Sequence, residues 1–252
     1  MKLSNLLKGY GGHVKEFLED LRLPGIRVNP SPKIVDVNRF TQNVIAASRR
    51  CTSYDSADPK HQHVVVCVKP ILNFEKLHSD TNFTVESVAM GFLRPAVNGV
   101  IKVASSGQAI AYLAAVHLKA EPDSASTRKS QIANLAAHIK NNVDAEMPIV
   151  ILGDFNTLDV EPLEFQGLFD DAKLDIAEVP NENEFTFNDV RRHKKFDRVW
   201  VSNSIDVVQQ PAVLGPCNND SNESADVIRK YNKTVSDHCA VKVSLNVDSQ
   251  PN

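Results

Sequence analysis

Short apolar runs rich in β-branched residues recur along the chain, at residues 64–68, 100–103, 110–116, 149–152, 199–201 and 240–245. Branched side chains pack well on a pleated surface and are stiff in a helix, so these runs are expected as strands. In the last run Val241, Val243 and Leu245 alternate with Lys242 and Ser244, the pattern of a strand with one wet face. Residues 149–152 read IVIL without interruption, which fits a strand buried on both faces. Between strands, Ile132, Leu135, Ala136 and Ile139 recur at three- and four-residue spacing within 126–141, with Arg128, Lys129 and Lys140 set off that stripe. That spacing predicts an amphipathic helix. A second helix is expected over 13–21, where Val14, Phe17, Leu18 and Leu21 share a face between the Gly11-Gly12 and Pro24-Gly25 pairs. Segments 181–195 and 217–230 are poor in apolar residues and read as loops. Strands interleaved with helices call for an α/β or α+β layered fold.

With 252 residues, 42% of them hydrophobic, the chain can bury a sizeable core. It has no internal repeat, low-complexity tract or linker, so a single domain over residues 1–252 is expected. The absence of a long apolar run, and of an apolar signal core near residue 1, gives the expectation of an intracellular protein with no membrane segment. A net charge of -3 excludes a broadly polycationic nucleic-acid binder and leaves room for a local basic patch. Cys51, Cys67, Cys217 and Cys239 form no CxxC pair and have no metal-ligand neighbours at standard spacing, so they are expected as free thiols in a reducing compartment.

Four segments carry the chemistry: AVHLKA (115–120), ILGDFN (151–156), KFDRVWVS (195–202) and VSDHCAV (235–241). Each is an apolar strand that ends in polar side chains, which is how a layered fold presents reactive groups on a rigid edge. Singly each is no more than a strand-end cap. In this order they resemble the endonuclease/exonuclease/phosphatase superfamily, whose members include DNase I, exonuclease III-type repair nucleases, tyrosyl-DNA phosphodiesterases and nocturnin-like deadenylases. The spacing of His117, Leu118, Arg128 and Gln131 is a further match to its HL…R..Q pattern. The resemblance implies an α/β (α+β) fold, a DNase I-like four-layer sandwich of two packed mixed β-sheets flanked by helices.

It also implies hydrolysis of phosphate esters with a divalent metal, Mg2+ or Mn2+. An anionic phosphate resists attack, so such a site must supply positive charge, a deprotonated water and stabilisation of the developing oxygen charge. Carried over by motif, Asp154 orients and deprotonates the attacking water and Asn156 holds a phosphate oxygen. His238 contacts the scissile phosphate, Asp197 fixes its tautomer from the other ring nitrogen, and His117 is a second phosphate donor. Asp237 approaches the metal.

In the first half Asn5 stands for the superfamily's early Asn, Tyr54 for a phosphate contact and Arg94 for its Arg. The expected Gln-Glu pair falls on Asn38 and Arg39, and a guanidinium repels magnesium, which takes oxygen ligands. Either Asp36, three residues earlier, supplies the carboxylate, or the chain is a catalytically inactive scaffold that keeps the fold. HLKA is similar to the deadenylases and FDRVW to the tyrosyl-DNA phosphodiesterases, which implies a nucleic-acid or other phosphodiester substrate. Arg191 and Arg192, followed by His193, Lys194 and Lys195, then either engage a phosphate backbone or form a solvated loop. Trp200 is a base-stacking candidate or, as a Trp within a strand, part of the core. The motif order leads to one geometric expectation, that His117, Asp154, Asn156, Asp197, Asp237 and His238 line a cleft at a sheet edge.

Overall fold

The computed structural model describes residues 51–53, 64–77, 96–157, 161–180, 185–189, 192–214, 216–217, 224–234 and 236–247. The expected helix over 13–21 lies outside them. Two compact units are present: residues 50–180, 196–211 and 243–252 form the larger, and residues 1–49, 181–195 and 212–242 the smaller.

The larger unit is built on a six-stranded mixed sheet. Its strand order is β3 (Leu72–Lys76), β4 (Val97–Val103), β5 (Ala109–His117), β6 (Ile149–Asp154), β10 (Asp197–Ser202) and β7 (Ile176–Glu178). Strands β5 and β6 run parallel, whereas β10 runs antiparallel to β6. A parallel pair cannot be closed by a tight turn and needs a crossover, and helix α1 (Ala125–Asn142) supplies it. The carboxyl ends of β5 and β6 therefore reach the same sheet edge, and β10 starts there because it runs the other way. A separate antiparallel pair, β1 (Cys51–Ser53) with β2 (Val65–Cys67), also belongs to this unit.

Burial follows the sequence pattern. Ile132, Leu135, Ala136 and Ile139 of α1 are at most 1% exposed and pack with Tyr112, Ala114 and Val116 of β5 and Ile149 and Ile151 of β6. The intervening Leu113, Ala115 and Val150 are buried too, as expected for strands covered on both faces. Helix α2 (Glu161–Asp171) adds Phe165 and Phe169 to this core. Trp200 joins it, 1% exposed, with its ring centroid 5.3 Å from that of Phe169 and 6.4 Å from that of Phe155. It is a core residue and not a base-stacking platform. Arg128, expected off the apolar stripe, is fully buried, because it lies one helical turn before Ile132 on the same face.

The smaller unit corrects two expectations. Segment 181–195 contains an antiparallel hairpin, β8 (Phe187–Asp189) with β9 (Arg192–Lys194). Segment 217–230 runs into helix α3 (Ala225–Thr234). Tyr231 is the buried residue of α3, so its apolar stripe is too thin to read as periodic, while Asp226 in the first turn and Lys233 in the last suit the helix dipole. Strands β11 (Asp206–Leu214) and β12 (Ala240–Asn246) pair with each other. Among the described residues no helix is long and apolar enough to cross a membrane.

The Tyr112 hydroxyl is buried and has no hydrogen-bond partner among the described residues. Burial pushes its pKa well above the ordinary value of 10.0, since the phenolate would lose its hydration. The folded state thus favours the neutral phenol, a contribution that is complete below pH about 10 and lost as pH rises beyond it. Tyr112→Phe is expected to raise stability at neutral pH by about 1 kcal/mol and to flatten the alkaline decline. Urea denaturation at neutral and alkaline pH checks both.

Candidate active site

Strand register does most of the assembly. His117 is the cross-strand partner of Asp154 on β6, and Asp154 is in turn the partner of Asp197 on β10. Three adjacent strands thus place three functional groups in one row at the sheet edge. His117 Nε2 lies 3.1 Å from Asp154 Oδ2, with the side chains 22% and 12% exposed, and a carboxylate oxygen of Asp197 lies within 4.8 Å of one of Asp154. Asn156 closes the group from the loop after β6. Its backbone N–H donates to Asp154 Oδ1 at 2.8 Å, and its Nδ2 donates to Asp154 Oδ2 at 3.0 Å and to the Leu118 carbonyl at 3.1 Å. Asn156 adopts a φ of 49°, a left-handed conformation that Asn tolerates better than most residues, and this turns its amide back onto Asp154.

The surrounding backbone is tied down as well. Leu118 N–H donates to the Asp154 carbonyl at 2.8 Å, and Phe155 N–H donates to the Phe196 carbonyl at 2.9 Å. Arg198, next to Asp197, donates from Nε to Thr157 Oγ1 at 2.7 Å and from Nη1 to Glu178 at 2.5 Å. This arginine of the FDR step therefore serves to join β10 and β7 to the loop that carries Asn156. Gly153 has a φ of 135°, and a Cβ there would stand 2.0 Å from the Val116 carbonyl oxygen. Only glycine lets β5 and β6 approach at the point where both enter the site.

The smaller unit carries the SDH motif. The His238 ring meets Phe187 edge-on with centroids 5.2 Å apart, and its backbone N–H donates to Ser236 Oγ at 3.0 Å. Asp237 is exposed. Cys239 N–H donates to the Thr186 carbonyl at 2.8 Å, and Cys239 is bonded to Cys217 in a disulfide. Cys67 is disulfide-bonded as well. The expectation of free thiols is thus corrected: partners far apart in sequence are brought together by tertiary structure, which spacing alone does not reveal. Disulfides persist in oxidising surroundings, so the thiol argument for a reducing compartment falls away.

Of the expected site residues, the structure brings His117, Asp154, Asn156 and Asp197 together in the larger unit, while Asp237 and His238 belong to the smaller. Asn5, Asp36, Arg39, Tyr54 and Arg94 lie outside the described residues. Arg192 begins β9, and the side chains of Arg191 and Arg192 also lie outside what is described.

Solved structures decide the fold. An endonuclease/exonuclease/phosphatase from Bacteroides vulgatus matches over 97% of this chain and 91% of its own, at 18% identity and a TM-score of 0.63. The chain has the DNase I-like endonuclease/exonuclease/phosphatase fold. D. rerio TDP2, in complex with a single-strand DNA product, matches over 93% of this chain and 92% of its own, at 15% identity and a TM-score of 0.61. ANGEL2, a 2′,3′-cyclic phosphatase in complex with adenosine-2′,3′-vanadate, matches over 84% and 80%, at 14% identity and 0.56. No protein-family model and no curated protein matches the sequence. In this endonuclease/exonuclease/phosphatase fold the mixed sheet and its flanking helices are those the motifs implied. What sequence reading missed is Glu161, the buried partner of Arg128; Pro162 and the acidic Glu161 and Glu164 just ahead of Phe165 were a usable helix-start signal.

Two stability outcomes follow from these contacts. Gly153→Ala is expected to cost about 3 kcal/mol or more, whereas Gly107→Ala, with a φ of 73° and nothing within 4 Å, should cost only about 1 kcal/mol. Replacing Cys217 and Cys239 by alanine reopens a loop of 22 residues and is expected to cost about 3 kcal/mol. Chemical denaturation of each variant against the parent measures both.

Proposed function

We propose that the chain is a divalent-metal-dependent phosphodiester hydrolase acting on nucleic acid. The observation that carries this reading is the row His117, Asp154 and Asp197, with Asn156 folded back onto Asp154. A carboxylate held by several donors is a fixed base, and fixing its geometry lowers the entropic cost of placing a water for in-line attack. Asp154 takes the proton from the attacking water. His117 Nε2, 3.1 Å from Asp154 Oδ2, donates to the carboxylate and orients it for this role. Asn156 steadies Asp154, with both protons of its amide engaged by Asp154 and the Leu118 carbonyl.

By motif, His238 contacts the scissile phosphate, with Asp197 the residue assigned to fix its tautomer. The side chains fit a hard cation in kind, because paired carboxylates supply the oxygen donors that Mg2+ or Mn2+ takes. Asp197 would hold it beside Asp154, with Asp237 and Asn5 as the further ligands that the motifs assign and Asp36 as the carboxylate in place of Arg39. Such an ion supplies positive charge to offset the charge that develops on the phosphate oxygens. A nucleic-acid substrate is supported by two proteins of the same fold, TDP2 bound to single-strand DNA product and ANGEL2 bound to an adenosine vanadate. Arg191 and Arg192 are proposed as contacts to its backbone.

The test is hydrolysis of single-stranded DNA, RNA and a small phosphodiester with Mg2+ or Mn2+. The expected result is turnover that chelation abolishes and that Asp154→Ala lowers by about 10²–10⁴-fold. Absence of metal-dependent turnover on all three substrates would favour the inactive scaffold instead.

A further inference from the structure

We propose that the buried Arg128–Glu161 pair is a positioning device for this centre, holding a strained turn behind His117 and, through it, the orientation of Asn156 and Asp154. The inference rests on the hydrolytic reading above for its consequence in catalysis, though not for its geometry. The Arg128 side chain is 0% exposed and that of Glu161 4%. Nε and Nη2 of Arg128 donate to the two oxygens of Glu161, each at 2.7 Å, a bidentate arrangement that fixes the guanidinium plane. Nη1 donates instead to two backbone carbonyls, those of Lys119 at 2.9 Å and Glu121 at 2.7 Å. Gln131, further along α1, accepts from the Lys119 N–H at 3.0 Å.

The turn held in this way is strained. Glu121 has φ 83° and ψ 140°, a region that suits glycine and that other residues keep only when their surroundings over-determine it. The turn continues directly from Leu118, whose N–H donates to the Asp154 carbonyl and whose carbonyl accepts from Asn156. An unbroken series of bonds thus leads from Glu161 through Arg128 and the 118–121 turn to Asn156 and Asp154. Because Glu161 begins α2, the same pair braces the turn after β5 against the start of that helix. A buried charge pair is often no more stabilising than apolar residues of the same volume, so stability alone gives little reason for one here. What an apolar pair cannot do is satisfy two carbonyls of a strained turn. Arg128 touches none of the proposed reacting groups, so its role is positional.

The experiment compares Arg128→Lys and Glu161→Gln with the parent protein by amide hydrogen exchange and by steady-state hydrolysis with Mg2+. Arg128→Lys keeps the charge and loses the fork. It is expected to speed exchange at the Leu118, Lys119 and Asn156 amides about tenfold while Leu113 and Ile151, in the strand interiors, stay unchanged. It should also lower kcat about tenfold with little change in KM, because misplaced groups slow the chemical step more than they weaken binding. Glu161→Gln retains a neutral acceptor and should show a smaller change of the same kind; it carries the exchange comparison if Arg128→Lys does not fold. Unchanged exchange at the three amides in the folded variants, or exchange that rises equally at Leu113 and Ile151, would overturn the proposal. If the parent protein shows no turnover, the hydrolytic reading fails, and the exchange pattern alone decides whether the pair positions the turn.

Discussion

The site depends on the register of one parallel strand pair. Strands β5 and β6 are aligned so that His117 stands opposite Asp154, and the antiparallel β10 extends the row to Asp197. Side chains alternate between faces along a strand, so a slip of one residue would send His117 and Asp154 to opposite faces and unpack the core in the same move. The apolar side chains therefore enforce the functional geometry. Tyr112, Ala114 and Val116 on β5 and Ile149 and Ile151 on β6 pack with α1, and a slip would exchange them for Leu113, Ala115 and Val150 of the other buried face, whose volumes differ. Gly153 removes the one steric obstacle to close pairing at the strand ends. Chemistry and packing are thus held by the same constraint.

Buried polar groups complete what packing starts. Apolar contacts fix strands and helices well but are indifferent to the loops beyond them, and the residues that would act on a substrate sit where strands become loops. Here the loops are fixed by directional bonds: Asn156 to Leu118 and Asp154, Arg198 to Thr157 and Glu178, and Arg128 to Glu161 and two carbonyls. Breaking a buried ion pair from one side typically costs about 3–5 kcal/mol, because the remaining charge is stranded. Such bonds give the site rigidity at a high cost for error.

Much of this was legible in the sequence, and the parts that were not share a cause. The apolar runs at 100–103, 110–116, 149–152 and 199–201 mark strands of the mixed sheet, and the helix expected over 126–141 spans Ala125–Asn142. These elements bury wide apolar faces, so periodicity reports them. Helix α3 buries Tyr231 alone, and it and the β8–β9 hairpin, polar in sequence, were read as loops. Arg128 and the Cys217–Cys239 bridge were misplaced for a different reason: the burial of a charged residue and the pairing of distant thiols are decided by partners that are remote in the chain, Glu161 in the first case. Three of the motifs lie at strand ends whose place in the sheet is set by local pattern, His117 and Asp154 at the carboxyl ends of β5 and β6 and Asp197 at the start of β10. His117, Asp154 and Asn156 could be named together before any coordinate, whereas the bonds that hold them could not.

The central claim is that the row at the ends of β5, β6 and β10 is a divalent-metal site for attack on a phosphodiester. Its most direct test is titration of the protein with Mn2+, followed by paramagnetic broadening of backbone amide resonances. The account predicts broadening concentrated at Gly153, Asp154, Phe155, Asp197 and Arg198, reversed by excess Mg2+ and much weakened when Asp154 and Asp197 are both changed to Asn. Broadening elsewhere in the chain that leaves those five amides sharp, or no Mn2+ effect at all, would contradict it.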